Sequence, residues 1–274
     1  MKKLLTIILA AILLVGCSSK TEKTVDKDKD LQSEAINLKV GLMGSDSSVW
    51  KHISEVVKEK GINLEIVYFD SYSIPNAALN DREIDLNAFQ HHSYLNAEVE
   101  DLNYDLVSAF DTVFAPIGIY SEKIKSLDEL ENGQTVTIPD DVSNGGRAIK
   151  LLEQAGLIEV NEEAGLIPTI KDIKSNPKNL NILELSAANI PGTLAENQIA
   201  VINSGIATDA GFTPSKDALV LESIEDENPY INLVAVRSED KDAEWIKIIE
   251  EAYRTDEVKK IIEEDSKGSS IPVW

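Results

Sequence analysis

INLKVGLMGSDSSVWKHISEVVKEKGINLEIVYF, residues 36–69, reads as a strand, a helix and a second strand in immediate succession. Ile36 to Met43 is an apolar run closed by the turn Gly44-Ser45-Asp46-Ser47-Ser48, which predicts a strand. Val49, Ile53, Val56, Val57 and Lys60 recur at helical spacing, with Ser47 or Ser48 as the cap and Gly61 as the stop. Asn63 to Phe69 is the second strand. The same alternation continues downstream. Pro75–Leu79 starts a short helix with its proline in the first turn. Asp85–Ala88 is a short strand, Ser93–Asp101 a helix, and Asp105–Tyr120 a long apolar extended stretch broken by Pro116 and Gly118. Leu127–Glu131 is helical and Gln134–Pro139 a strand. Gly146–Ala155 is an amphipathic helix stopped by Gly156. Asn181–Leu185 and Ile199–Asn203 are strands separated by a helical turn at Pro191–Asn197. Tyr230–Val236 is extended, and Ala243–Tyr253 and Glu257–Glu264 are closing helices. Repeated βα order with short connections predicts an α/β fold with parallel sheet. The two long extended stretches predict two lobes joined by crossings near Val113–Tyr120 and Tyr230–Val236. A single continuous sheet is the alternative that periodicity leaves open.

The N-terminal residues speak to compartment. Lys2 and Lys3 precede an apolar run of 12 residues, Leu4–Val15, interrupted only by Thr6. A membrane-spanning helix needs about 20 apolar residues, so the run fits a secretory signal better than a span. It ends in Leu14-Val15-Gly16-Cys17, which resembles the lipobox of bacterial lipoproteins. That resemblance implies a signal peptide over residues 1–16 and a diacylglyceryl thioether on Cys17. The plainer alternative is a short core helix with a buried cysteine. Ser18–Ala35 is polar and nearly free of apolar residues, too poor in burial to fold. Residues 17–36 are therefore expected to be a flexible tether, with a reach of roughly 20–25 Å.

Cys17 is the one cysteine in the sequence, so no intrachain disulfide forms and the hydrophobic core must carry the fold. The formal net charge is −22. It becomes −24 without Lys2 and Lys3, because residues 1–16 hold no acid. A surface of that sign repels nucleic acid and keeps the protein soluble.

Signatures of enzyme chemistry are absent. Neither G-x-S-x-G nor G-x-x-x-x-G-K-[ST] occurs, and no cofactor motif is present. The three histidines are His52, His91 and His92. The adjacent pair diverges on either a helix or a strand, so a shared metal would need distant carboxylates. Three other features suit ligand capture. Asp141-Val142-Ser143-Asn144-Gly145-Gly146-Arg147 follows a strand and opens a helix. Helix-start N–H groups attract anions, paired glycines permit close backbone approach, and Arg147 offers a fork for a carboxylate. The plain reading is a surface arginine. Tyr72, Phe89 and His91 lie in a local concentration of rings with Tyr68 and Phe69, in a chain only 5% aromatic. Such rings wall a slot for an apolar or thioether group, or simply pack a core. Asn203 ends an apolar strand, where α/β folds place ligand contacts; a turn cap is its alternative role.

In order along the chain, Pro75-Asn76-Ala77-Ala78-Leu79-Asn80, Asp85-Leu86-Asn87-Ala88-Phe89-Gln90-His91, Ile119-Tyr120-Ser121, Ser175-Asn176-Pro177-Lys178-Asn179-Leu180, Ala200–Asn203 and Pro229-Tyr230-Ile231-Asn232-Leu233 resemble the MetQ/NlpA family of lipoproteins. The resemblance runs from about Lys39 to Trp274. It implies a two-lobed periplasmic-binding-protein-like fold of type II, with two hinge crossings. Lobe 1 would be residues 37–117 and 236–274, and lobe 2 residues 118–235. It implies a monomeric, lipid-anchored subunit on the extracytoplasmic face of the cell membrane. That subunit would deliver methionine or a methionine-containing dipeptide to ABC permease and ATPase subunits, with no catalysis and no metal. Ligand contacts fall on Tyr72, Phe89, His91, Asn144, Arg147 and Asn203. By the same resemblance, Arg147 would pair the ligand carboxylate, the asparagines its polar backbone, and the rings its thioether. Ala115 stands where the family usually has tyrosine, and Ile190-Pro191-Gly192 where many members have Leu-Pro-Arg. These smaller residues would widen the pocket, and Ala115-Pro116, Asp141-Val142-Ser143-Asn144 and Gly205-Ile206-Ala207-Thr208 resemble the glycyl-methionine-binding branch. A surface metal-dependent hydrolase using His91 or His92, and an adhesin or sensor ectodomain without cargo, are the competing functions.

Overall fold

The computed structural model describes residues 35–223 and 228–274. Residues 36–69 form β1 (Ile36–Met43), α1 (Ser48–Lys58) and β2 (Ile62–Phe69). The strands run parallel in register from Ile36 beside Ile62 to Met43 beside Phe69. Ser47 caps α1 by accepting the Trp50 N–H at 3.3 Å. Gly61 turns the chain at φ +84°, a backbone region that penalises any side chain. Val49, Trp50, Ile53 and Val57 bury one stripe of α1 against the sheet. The expected signal peptide 1–16 and Cys17 lie outside the described residues. So does the expected tether, apart from Ala35 and Ile36, and Ile36 already belongs to β1.

The chain continues through α2 (Pro75–Asn80), β3 (Leu86–Asn87), α3 (His92–Leu102) and β4 (Leu106–Phe114). It then enters a second sheet with β5 (Gly118–Tyr120), β6 (Thr135–Pro139) and α4 (Val142–Gln154). A small antiparallel ribbon of β7 (Glu159–Val160) and β8 (Ile173–Ser175) follows. Next come β9 (Asn181–Leu185), β10 (Ile199–Ile202), α5 (Ser204–Asp209), α6 (Pro214–Asp217) and β11 (Val220–Leu221). β12 (Ile231–Arg237), α7 (Glu244–Tyr253), α8 (Asp256–Asp265) and β13 (Ile271–Pro272) return to the first sheet. The first sheet has the order β13-β4-β12-β3-β1-β2 and the second β11-β5-β10-β6-β9. Each has its own apolar core, with Ile53, Leu86 and Ile249 in the first and Ile138, Ile149 and Val201 in the second.

This is a two-lobed α/β fold, not one continuous sheet. Neither sheet is wholly parallel. The β1–β2, β1–β3, β6–β9 and β6–β10 pairs are parallel, whereas β12 runs antiparallel to both β3 and β4. The reason is topological. β4 carries the chain out of the first lobe and β12 brings it back alongside, so the two must run in opposite senses. The first crossing is Ala115–Ile117, within the range expected. The second lies earlier than expected. Every residue of β12 belongs to the first sheet, so the chain crosses between Leu221 and Ile231, and a lobe boundary at 235/236 would cut a strand. The helix expected over Leu127–Glu131 is a single 3-10 turn, Leu127–Glu129, closed by a Ser126/Glu129 capping box.

Candidate functional site

Loops at the facing ends of the two sheets line a cavity of about 340 Å³. Tyr72 comes from the β2–α2 loop, Phe89 and His91 from the β3–α3 loop, Asn144 and Arg147 from α4, and Asn203 from the end of β10. All six line this one cavity.

α4 begins earlier than its apolar spacing predicts. It starts at Val142, with the Asp141 carboxylate accepting the Asn144 N–H at 2.9 Å. Asn144 and Arg147 are therefore one turn apart on a single helical face. Gly145 and Gly146 therefore sit inside the helix, where the sequence pattern starts it only at Gly146. A Cβ on Gly146 would lie 2.8 Å from Ile167 Cα, and one on Gly145 would lie 3.0 Å from Pro139 O. The glycines thus let α4 pack against neighbouring backbone. At the helix N-terminus one of the free N–H groups, that of Asn144, is taken by the Asp141 carboxylate.

His91 caps α3, its Nδ1 accepting the Tyr94 N–H at 3.1 Å. With Nδ1 committed as acceptor, the proton of the neutral ring sits on Nε2. Nε2 donates to Asn144 Oδ1 at 3.2 Å, across the gap between the lobes. Burial, and then the charge of Arg147, press the His91 pKa down to about 3, so the ring is neutral at physiological pH. Asn144 Oδ1 also accepts Asn203 Nδ2 at 2.7 Å, and Asn144 Nδ2 donates to Asp141 at 3.0 and 3.1 Å. The chain of bonds fixes every amide in it. It leaves Asn203 Oδ1 buried without a hydrogen-bond partner among the described residues. An orphaned buried acceptor costs about 1–3 kcal/mol, and a ligand N–H would relieve that cost.

The rings form a box. Tyr72 and Phe89 lie 5.8 Å apart, and Tyr94 meets Phe89 edge-on at 5.7 Å, Tyr72 at 6.1 Å and His91 at 6.3 Å. Burial raises the Tyr72 pKa, keeping its hydroxyl neutral. Behind the box, Asn76, Asn87 and Gln90 are buried and bonded to one another, at 2.8 Å for Asn76 Nδ2 to Gln90 Oε1 and 2.9 Å for Asn87 Nδ2 to Asn76 Oδ1. Tyr94 donates its hydroxyl to Glu98 at 2.9 Å.

Arg147 is 3% exposed and more engaged than its sequence context indicates. Its Nε donates to Glu222 Oε1 at 3.0 Å and Oε2 at 3.1 Å, and Nη2 donates to Glu222 and to Ala115 O, the latter at 3.0 Å. The guanidinium carbon stands 4.4 Å from the centre of the Tyr230 ring. One edge of the fork is therefore used internally, and Nη1 makes no hydrogen bond among the described residues. Sequence reading missed Tyr94, Glu222 and Tyr230. Tyr94 stood within reach of it, three residues after His91. Glu222 arrives from the second crossing with no local pattern to mark it, and Tyr230 is marked only as part of an extended stretch.

Among the described residues no group of three or more His, Cys, Asp or Glu side chains is placed to hold a metal ion. His91 Nδ1 is spent on its cap, and His92 faces away to Asp111 at 2.6 Å.

Two α/β lobes around a polar-and-aromatic cleft are the architecture of a solute-binding protein. Residues 38–274 match the NlpA lipoprotein family, and the chain belongs to it. It is 41% identical over 271 residues to the D-methionine-binding lipoprotein MetQ of Yersinia pestis, covering 97% of this chain and 95% of that protein. Among solved structures it resembles a nutrient-binding protein from Burkholderia cenocepacia bound to methionine, with TM-score 0.83, 43% identity, and coverage of 86% of this chain and 100% of that one. It also resembles the substrate-binding protein of a methionine transporter from Streptococcus pneumoniae, with TM-score 0.82, 35% identity, and coverage of 87% and 96%.

Proposed function

We propose that this chain is the substrate-binding subunit of an ABC importer, with methionine or a short methionine-containing peptide as its ligand in the interlobe cavity. The observation that carries this reading is the placement of Arg147, the orphaned Asn203 Oδ1 and the Tyr72–Phe89–Tyr94 box on one cleft. A cation at one end takes a carboxylate. An unpaired acceptor takes an amino or amide N–H. Ring edges take a thioether. A volume of about 340 Å³ is at the small end of ligand pockets, which span roughly 300–1,000 Å³. That size favours an amino acid or dipeptide over longer peptides. Ala115 at the wall gives room, and the Asp209 carboxylate on the same cavity gives an acceptor, for the amino end of a dipeptide.

The cleft would close by population shift, because His91 of one lobe and Asn144 of the other meet across it. Cys17 would carry the lipid anchor, holding a monomer at the extracytoplasmic face of the membrane, where permease and ATPase subunits supply the work of transport. The chain itself performs no catalysis in this reading. Calorimetric titration of the purified protein with methionine and with glycyl-methionine tests it. Saturable binding of at least one, weakened in Phe89→Ala, is expected. Heat of dilution only, for both ligands, would remove the reading.

A further inference from the structure

Glu222 stands behind Arg147, outside the cavity lining, on the segment that crosses back between the lobes. Its carboxylate takes Arg147 Nε at 3.0 and 3.1 Å and also accepts the backbone N–H of Ile117 at 3.1 Å. Arg147 in turn bonds Ala115 O at 3.0 Å. Residues 115 and 117 belong to the first crossing, and Glu222 and Tyr230 to the second. The cation of the cleft is thus pinned to both hinge segments by a partner that does not line the cavity. A guanidinium has five N–H donors in a rigid plane. Those on Nε and Nη2 point to Glu222 and Ala115, which turns Nη1 to the cavity. The pair is nearly withdrawn from water, with side-chain exposures of 3% and 12%, so its charges act on a bound ligand at low screening.

From this we infer that Glu222 is a positioning and specificity-determining residue: it presents a single edge of Arg147 to the cavity and cancels its net charge, so the cleft prefers net-neutral zwitterions to net anions. An unopposed arginine would attract any carboxylate. One balanced by Glu222 offers directional hydrogen bonds with little net field, so a ligand with a net negative charge gains little from it and still feels the Glu222 carboxylate behind the guanidinium. The inference rests on the methionine-type reading for its choice of probes and on geometry alone for the positioning.

The test compares wild type with Glu222→Gln, which keeps the shape and the Ile117 bond while removing the charge. Calorimetric Kd values are measured for N-acetylmethionine, an anion, and methioninamide, a cation. The ratio of the two affinities should move about tenfold or more toward the anion in Glu222→Gln, a change that a purely structural role would not produce. In the ligand-free protein, the Arg147 Nε–H should give a slowly exchanging NMR signal that is lost in Glu222→Ala. An unchanged affinity ratio overturns the charge-balancing role. An Arg147 signal that persists in Glu222→Ala overturns the positioning role. If neither wild type nor variant binds any methionine derivative, the proposed ligand class falls. The NMR arm still reads the positioning role by itself.

Discussion

Arg147 and His91 show how much of the site is decided by the company a side chain keeps. Truncating one partner of a buried ion pair leaves the other uncompensated, at a cost of about 3–5 kcal/mol. Arg147→Ala should therefore lower stability as well as affinity, whereas Arg147→Ala combined with Glu222→Gln should recover part of the loss. Chemical denaturation of the two variants checks this, and equal stabilities would contradict the pairing. For His91 the pKa near 3 lies below the ordinary value of 6.5 for the ring. The unfolded chain binds a proton as pH falls through 6.5 and the folded chain does not until near 3, so this group's contribution is complete above 6.5 and shrinks across that window. Stability measured from pH 7 to pH 4 should fall more steeply in wild type than in His91→Gln, and the imidazole signals of His91 should report the neutral Nε2–H tautomer at pH 5. Parallel curves, or an imidazolium at that pH, would contradict the buried neutral assignment.

At the scale of elements, α4 separates what was legible from what was not. Its inward face of Ile149, Leu151 and Leu152 marked a helix from Gly146 onward. Its first turn was hidden because Ser143, Asn144 and the two glycines are poor helix formers by propensity. They are helical because the Asp141 cap and close packing against Ile167 and Pro139 override that preference. Gly146→Ala is thus predicted to destabilise by about 1–3 kcal/mol through overpacking, despite the better helix propensity of alanine. Gly205 in α5 has open space around its missing Cβ, and Gly205→Ala should be neutral or stabilising by up to about 1 kcal/mol. Thermal unfolding of the two variants reads the contrast, and the same shift in both would sink it. β1, α1 and β2 were legible almost to the residue because each is set by local pattern and cap. β13 and the β12 insertion between β3 and β4 were not, since they depend on partners far away in the chain.

For the whole molecule, the alternation of strands and helices announced an α/β protein, and two long apolar stretches announced two crossings. The local pattern puts the second crossing late, because Tyr230–Val236 reads as one apolar strand. Only the sheet order shows that the strand lies wholly in the first lobe. The six residues expected to meet at the cleft do line one cavity. Glu222 and Tyr230, which hold Arg147 from behind, come from a second crossing whose place the local pattern does not give. Everything about function turns on what that cavity holds. The most direct measurement is mass spectrometry of the small molecule released when the purified protein is denatured. The account predicts methionine or a methionine-containing dipeptide, in close to equimolar amount if the ligand survives purification or after incubation with either compound. A released ligand with neither carboxylate nor thioether, or no retention of either compound after incubation, would contradict it.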